Sequence, residues 1–328
     1  MTLVPPPLQG ASCETVITLP DTWAAWSWNR RLNPFYASAS AESLAWIRGH
    51  KLYTPEAQHV FERSDFEQIR VTCDFIQFIF AFDDAVEKKD ESSARIMALS
   101  VVNALEAVET PDLENDVWGV IVRELWQRFI LVVPNTIYQH RFVSAMKRYT
   151  DAVVQEARYH HQRHIPDIPE YFALRRETSA LFPAWIFLHM GLDLPKEVFD
   201  DPVVQEIEQL AADMVIISND MVSYRPESSR DEHHNLLAVL TELHGLSVQE
   251  AMMSADSKGK ALLPAAENAQ SRLPTFGEKI DRDLSLYVTG LFAWVKAYDC
   301  WIFETPRYFG NDGERVREHR QIVLRADL

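Results

Sequence analysis

The chain is short of cysteine, glycine and positive charge, and it has no long apolar run. Cys13, Cys73 and Cys300 are few, widely spaced and odd in number, which speaks against a disulfide framework and gives no zinc-ligand spacing. A reducing cytoplasm is the expected location. Only 10 glycines among 328 residues that are 47% apolar favour long helices over many tight turns. Nothing approaches the roughly 20 apolar residues of a membrane span. Met1 to Gly10 contains three consecutive prolines without a charged start or an apolar stretch. Neither stable membrane insertion nor a signal peptide is therefore expected. With 32 basic against 48 acidic residues the net charge is −16. That charge repels polyphosphate backbones and anionic membranes at long range, which argues against nucleic acid as a partner. A small anionic substrate would need local positive charge from metal ions or a few placed arginines.

Proline, by contrast, is present at 17 positions and divides the chain into helical lengths, with Pro-free runs from Pro55 to Pro111 and from Pro134 to Pro166. The pattern predicts long helices after a flexible arm over residues 1–20, and 328 residues allow two domains by length yet suffice for one large core. Thr22 and Trp23 are placed to start a short helix. Further helices are expected at 37–50 and 55–63, then a long one capped by Ser64 and Asp65, and others at 91–109, 113–132, 136–164, 202–224, 234–244, 247–270 and 276–304. Asp200 and Asp201 before Pro202 read as a helix cap.

Two stretches carry chemistry. On a helix advancing about 100° per residue, Phe75, Phe78, Ile79, Phe82 and Val86 share one face, with Asp83, Glu87 and Asp90 along its edge and Ile76 and Phe80 beneath. Asp84 falls outside that sector. Like charges four residues apart repel, and carboxylates near a helix C-terminus oppose the helix dipole; a divalent cation would relieve both. Taken alone, the stretch reads better as an amphipathic core helix with an acidic edge. In the second stretch, Asn219, Ser223 and Glu227 recur every four residues, an all-oxygen set suited to Mg²⁺, above Val215 and Ile216. Pro226 is expected to end that helix just before Glu227.

Between the two stretches, the helix opened by Pro169 meets Pro183. A proline there leaves the backbone around Ser179 and Ala180 with free acceptors, which suit a cationic guest or water equally. Glu156, His160 and His164 share a helical face, but a basic terminal turn complementing the dipole is the better reading than a metal site. In the last helix Tyr287, Leu291, Trp294, Tyr298 and Trp301 form a core-type stripe, followed by Arg307 and Tyr308, a pair able to hold an anion.

With Asp83-Asp84-Ala85-Val86-Glu87 as an aspartate-rich motif, Asn219-Asp220-Met221-Val222-Ser223-Tyr224-Arg225-Pro226-Glu227 as an Asn/Ser/Glu motif, and Arg307-Tyr308 near the end, the chain resembles class I terpene synthases. The closest likeness is to the fungal, basidiomycete-like sesquiterpene synthases, over nearly the whole length. The resemblance implies an all-α single domain over residues 21–328, a helical bundle around a deep apolar cavity, with three Mg²⁺ ions and a diphosphate at its mouth. The implied activity is ionisation of farnesyl diphosphate and conversion of the carbocation to a cyclic sesquiterpene hydrocarbon or alcohol. It implies Asp83 and Glu87 as ligands of one metal group and Asn219, Ser223 and Glu227 as ligands of the third ion. Arg176 is implied as the diphosphate-sensing arginine, Ser179 as its linker and Ala180 as the effector. Arg307 and Tyr308 would bind the departing diphosphate. Ile79, Phe80, Val215, Ile216, Trp294 and Trp301 would line the cavity, the aromatic faces steadying positive charge.

The chain departs from the family pattern in three places. Glu87 stands where many members have Asp, Ala180 where glycine is frequent, and Pro226 where a basic residue is usual, leaving Arg225 and Arg230 as its candidate replacements. A loosely closed site would give a linear alcohol of the linalool or nerolidol type from geranyl or farnesyl diphosphate. A chain-elongating prenyl synthase would show a second aspartate-rich motif in place of Asn219 and Ser223. A non-enzymatic helical scaffold is the alternative of another class. Monomer and homodimer both remain open.

Overall fold

The computed structural model describes residues 14–26, 41–42, 45, 67–87, 89–106, 116–228 and 234–325. The helices expected at 37–50 and 55–63, and the cap at Ser64 and Asp65, fall outside these residues apart from 41–42 and 45, which are helical. The aromatic–acidic stretch forms α1 (Glu67–Val86), whose Phe75, Phe78 and Phe82 are completely buried. Asp90 does not extend the acidic edge of α1. Its carboxylate caps α2 (Glu91–Leu105), accepting from the Ser93 N–H at 2.8 Å, because the chain has already left the helix at Glu87.

Capping residues also set the starts of the elements that follow. Asp116 caps α3 (Val117–Val132) and Asn135 caps the 27-residue α4 (Thr136–Gln162). Gly119 is required beside the first of these caps, since a Cβ there would lie 2.2 Å from the Asp116 carboxylate. Asp167 caps α5 (Ile168–Thr178). The break expected from Pro183 is present: α5 ends, Ala180 takes a left-handed φ of 55°, and α6 (Leu181–Trp185) starts in a new direction before a 3₁₀ turn over Ile186–His189. Short α7 (Lys196–Asp200) is followed by Asp201, which accepts from the Val203 and Val204 N–H groups and so caps α8 (Pro202–Ser228), as the sequence suggests. The backbone of α8 runs through Pro226 to Ser228. A proline so near the end removes a single N–H from the last turn, which is too little to stop the helix there.

The remaining helices are α9 (Leu236–His244), α10 (Val248–Ser271), α11 (Glu278–Glu304), α12 (Pro306–Phe309) and α13 (Gly313–His319). α1 to α4 pack on one side and α8 to α11 on the other, while α5 touches α4, α8 and α9 and so bridges the two groups. The core between them is aromatic at one end, where Phe129 stacks on Phe142 at 4.5 Å and Phe75 meets Phe187 at 5.3 Å.

One feature departs from the all-α expectation. Within the presumed arm, β1 (Glu14–Thr18) pairs antiparallel with β2 (Gln321–Arg325), Val16 opposite Val323. The partner lies over 300 residues away, beyond the reach of local pattern. The next residues form a turn rather than a helix, and they grip the bundle. Thr22 donates to Asp256 at 2.9 Å, the Trp23 indole donates to Ser218 at 2.7 Å, and Asp21 pairs with Arg320 at 3.0 Å.

Candidate active site

α1 delivers Asp83 and Asp84 at its C-terminal turn, with Glu87 exposed just beyond. Burial pushes the Asp83 carboxyl up to about 6; Glu87 and Asp84 push the same way, against the opposing pull of Arg175 and Arg307. Asp84, which the helical phase sets apart from Asp83 and Glu87, accepts from Arg307 at 3.0 Å. The guanidinium of Arg307 also lies 4.7 Å over the Phe80 ring. Burial works against the charge of Arg307, yet Asp84, Tyr308 and Asp83 hold its pKa above the ordinary arginine value.

On the facing side, α8 presents Asn219 at the centre of a hydrogen-bond network. Its amide NH₂ donates to the Tyr298 hydroxyl at 2.7 Å and to the Tyr308 hydroxyl at 3.0 Å, and those two hydroxyls lie 2.8 Å apart. Its oxygen accepts from Arg175 at 2.8 Å. Trp301 stacks on Phe80 at 5.7 Å and meets Tyr308 edge-on at 6.0 Å, so α1, α8, α11 and α12 converge on one polar and aromatic mouth. Adjacent residues of α12 join the two rims, Arg307 bonded to Asp84 and Tyr308 to Asn219.

Arg176, named from the sequence, also lies on α5. It forms a two-pronged pair with Asp213, both contacts 2.7 Å, and lies near the Phe172 ring. Adjacent helical residues point about 100° apart, and Arg175, its neighbour, bonds Asn219. Ser179 donates to the Arg176 carbonyl at 2.8 Å, and the Ala180 carbonyl accepts from the Ala184 N–H at 3.2 Å. The resumed helix therefore uses the Ala180 acceptor, one of those expected to be left open near the proline.

Ser223 is brought in less fully than Asn219. It is 4% exposed, and its hydroxyl accepts from Asn235 at 3.3 Å. Glu227 lies on the backbone of α8, while its side chain and that of Arg225, with all of Arg230, fall outside the described residues. Of the wall residues, Val215 and Ile216 are buried, Phe80 is half-buried, and Ile79, Trp294 and Trp301 are partly buried against the core. The helical face of Glu156, His160 and His164 does not converge on a metal. His164 contacts Glu170 at 3.2 Å, and Glu156 instead approaches His234 at 3.7 Å.

Several site residues escaped sequence reasoning. Asp220 is completely buried and receives the Tyr171 hydroxyl, the Leu236 N–H at 3.1 Å and Arg175 at 3.4 Å; burial raises its pKa against those donors. Its identity as a second acid inside the Asn/Ser/Glu stretch was the available signal. His234, beside Tyr171, is pushed down to about 3 by burial, with Arg175 adding to the effect, and so stays neutral. Tyr149, completely buried next to Phe82, has no hydrogen-bond partner for its hydroxyl among the described residues, and Asp83 contributes to the rise of its pKa.

The donor set suits a divalent metal. Carboxylate, amide and hydroxyl oxygens are the donors that hard cations prefer, and a cation beside Asp83 would offset what suppresses its ionisation, burial first and the charge of Glu87 second. Among the described residues no three His, Cys, Asp or Glu side chains stand together as a ready metal cage. The oxygens are divided between two facing helices, an arrangement suited to ions that arrive with an anionic ligand between them. No described helix is long and apolar enough to cross a membrane.

A family model described as terpene synthase family 2, C-terminal metal binding, matches residues 74–258, which span both rims and α5. A Delta(6)-protoilludene synthase of Hypholoma sublateritium is 33% identical over 315 residues, covering 95% of this chain and 96% of the relative. Sesquiterpene synthase 14 of Postia placenta is 32% identical, with 94% and 92% covered. Among solved structures, a cucumene synthase variant superposes with a TM-score of 0.74 at 22% identity, covering 86% of this chain and 99% of the other. Germacradien-4-ol synthase from Streptomyces citricolor gives 0.69 at 19%, covering 85% and 99%. These two structures support the helical fold.

Proposed function

The chain belongs to the terpene synthase family, and from that premise we propose that it is a Mg²⁺-dependent sesquiterpene synthase that ionises farnesyl diphosphate and cyclises the resulting carbocation. The observation that supports the reading is the meeting of the two rims at α12, where Arg307 bonds Asp84 while Tyr308 bonds Asn219. Asp83 and Glu87 would hold Mg²⁺ on one side, and Asn219, Ser223 and Glu227 on the other, with three ions in all. The chemistry Mg²⁺ supplies when bound is neutralisation of the diphosphate oxygens.

The chain's own residues supply the rest. Arg175 and Arg307 bind the diphosphate from opposite rims, and their charge favours its departure because they stand where negative charge grows. Tyr308 and Tyr298 position Asn219 and offer hydroxyls to the same anion. The allylic cation left behind needs a wall that steadies charge without attacking it. Phe80 and Trp301, already stacked, present such a face, with Trp294 farther along α11. Ile79, Val215 and Ile216 shape the folded chain, and their apolar surface excludes water that would otherwise capture the cation. Ser179 and Ala180 hold the α5–α6 break that aims Arg175.

Diphosphate release should be measured with geranyl, farnesyl and geranylgeranyl diphosphate in the presence of Mg²⁺. Farnesyl diphosphate is expected to be the preferred substrate, and release from none of the three would overturn the proposal. A linear alcohol from farnesyl diphosphate would retain the ionisation step and overturn cyclisation.

A further inference from the structure

The oxygen through which Asn219 would ligate a cation already carries one in the substrate-free fold, since Arg175 donates to it at 2.8 Å. The amide cannot turn to offer a different lone-pair geometry without breaking its two bonds to Tyr298 and Tyr308. Turned over, it would set its NH₂ against the guanidinium. Arg175 is itself tethered. Its Nε lies 3.4 Å from the buried carboxylate of Asp220, and its Nη1 lies 3.5 Å from the Thr178 hydroxyl. A divalent ion on the same Asn219 oxygen would stand a few ångströms from this guanidinium in a part-buried site, where two like charges repel far more strongly than in water.

We infer that Arg175 is a placeholder cation that keeps the metal position at Asn219 closed until a diphosphate arrives and draws the guanidinium away. The inference rests on the metal- and diphosphate-dependent reading above. Asp220 retains the Nε side while the Nη2 side changes partner, so the residue has two discrete arrangements instead of a continuous drift. By linkage, the anion that removes Arg175 from Asn219 strengthens cation binding there, and the cation strengthens anion binding by the same factor. Metal would then enter the Asn/Ser/Glu rim together with the leaving group rather than ahead of it. Arg175 acts here as a positioning residue for a ligand, and its role is visible without turnover.

The test is a Mn²⁺ titration of the full chain, read by the electron paramagnetic resonance of the free ion, with and without inorganic diphosphate. Wild type is compared with Arg175→Gln and with the double variant Arg175→Gln/Asp220→Asn. The double variant removes the buried carboxylate together with its partner, so it remains informative even if the single variant unfolds. In wild type, diphosphate should strengthen Mn²⁺ binding. The double variant should bind Mn²⁺ without diphosphate about tenfold more tightly than wild type does, within the usual range of coupled binding. Adding Asn219→Ala should abolish that gain. Diphosphate-dependent binding in wild type with no gain in the double variant would overturn the placeholder role and leave the metal reading standing. No Mn²⁺ binding to wild type even with diphosphate would overturn both.

Discussion

Asp83 carries a charge that the metal-free fold resists. Its carboxyl titrates at about 6 in the folded protein against about 4 in an unfolded chain. Folding therefore favours the protonated form. The resulting destabilisation is absent below pH 4, grows as pH rises through the interval, and is complete above 6. Asp83→Asn should accordingly raise the melting temperature of the metal-free protein at pH 7.5 by about 2 °C or more and leave it unchanged below pH 4. The same change should lower turnover by roughly a hundredfold or more, as expected when a group acting on the transition-state charge is lost. An equal stability gain at both pH values would show that charge is not the cause. Spacing in the sequence singled out Asp83 and Asn219, and family resemblance added Arg307 and Tyr308, four residues that the structure brings to one mouth. Spacing did not distinguish Arg175 from Arg176, because neighbours on a helix differ only in direction. What decides is the partner α8 offers each of them, Asn219 and Asp220 for one and Asp213 for the other. Asp84 was undervalued for a similar reason, since its partner Arg307 lies over 200 residues farther along the chain.

At the scale of elements, α5 does more than its 11 residues suggest. It joins the two helix groups, and its proline-enforced end fixes where Arg175 points. That break was legible because Pro183 has no N–H to offer Ser179. The strap formed by β1 and the following turn was not. Its strand pairs with the other end of the chain, and its anchors to Ser218 and Asp256 are side-chain bonds across the fold. Trp23 thus holds α8 one residue before Asn219, beside a crevice lined by Met221, Val222, Ile302 and Phe303. Gly259 on α10 makes room for this crossing, since a Cβ there would lie 2.7 Å from the Thr22 methyl and 3.4 Å from the Trp23 ring. Gly259→Ala should therefore lower stability by about 1–3 kcal/mol through overpacking, seen as a lower denaturant midpoint. The helix-favouring replacement would gain about 1 kcal/mol at a site without crowding, so an unchanged or higher midpoint would show that the strap does not press on α10.

For the whole molecule, an acidic chain of net charge −16 gathers cationic side chains where an anion is to be held. Arg175 and Arg307 stand at one mouth, each already engaged with a polar residue there, Asn219 for the first and Asp84 for the second. Long helices follow from proline spacing and glycine scarcity, and among the described residues the small β1–β2 pair departs from them. The depth and contour of the cavity depend on how α1, α8 and α11 face one another, which helical periodicity does not encode. The central claim is that the two rims form one metal-dependent site for ionising a prenyl diphosphate. Its most direct test is gas chromatography with mass spectrometry of the products from farnesyl diphosphate, with Mg²⁺ and again with EDTA. The account predicts cyclic sesquiterpene with Mg²⁺ and none with EDTA. Absence of any terpene product with Mg²⁺, or the same products with the metal removed, would contradict it.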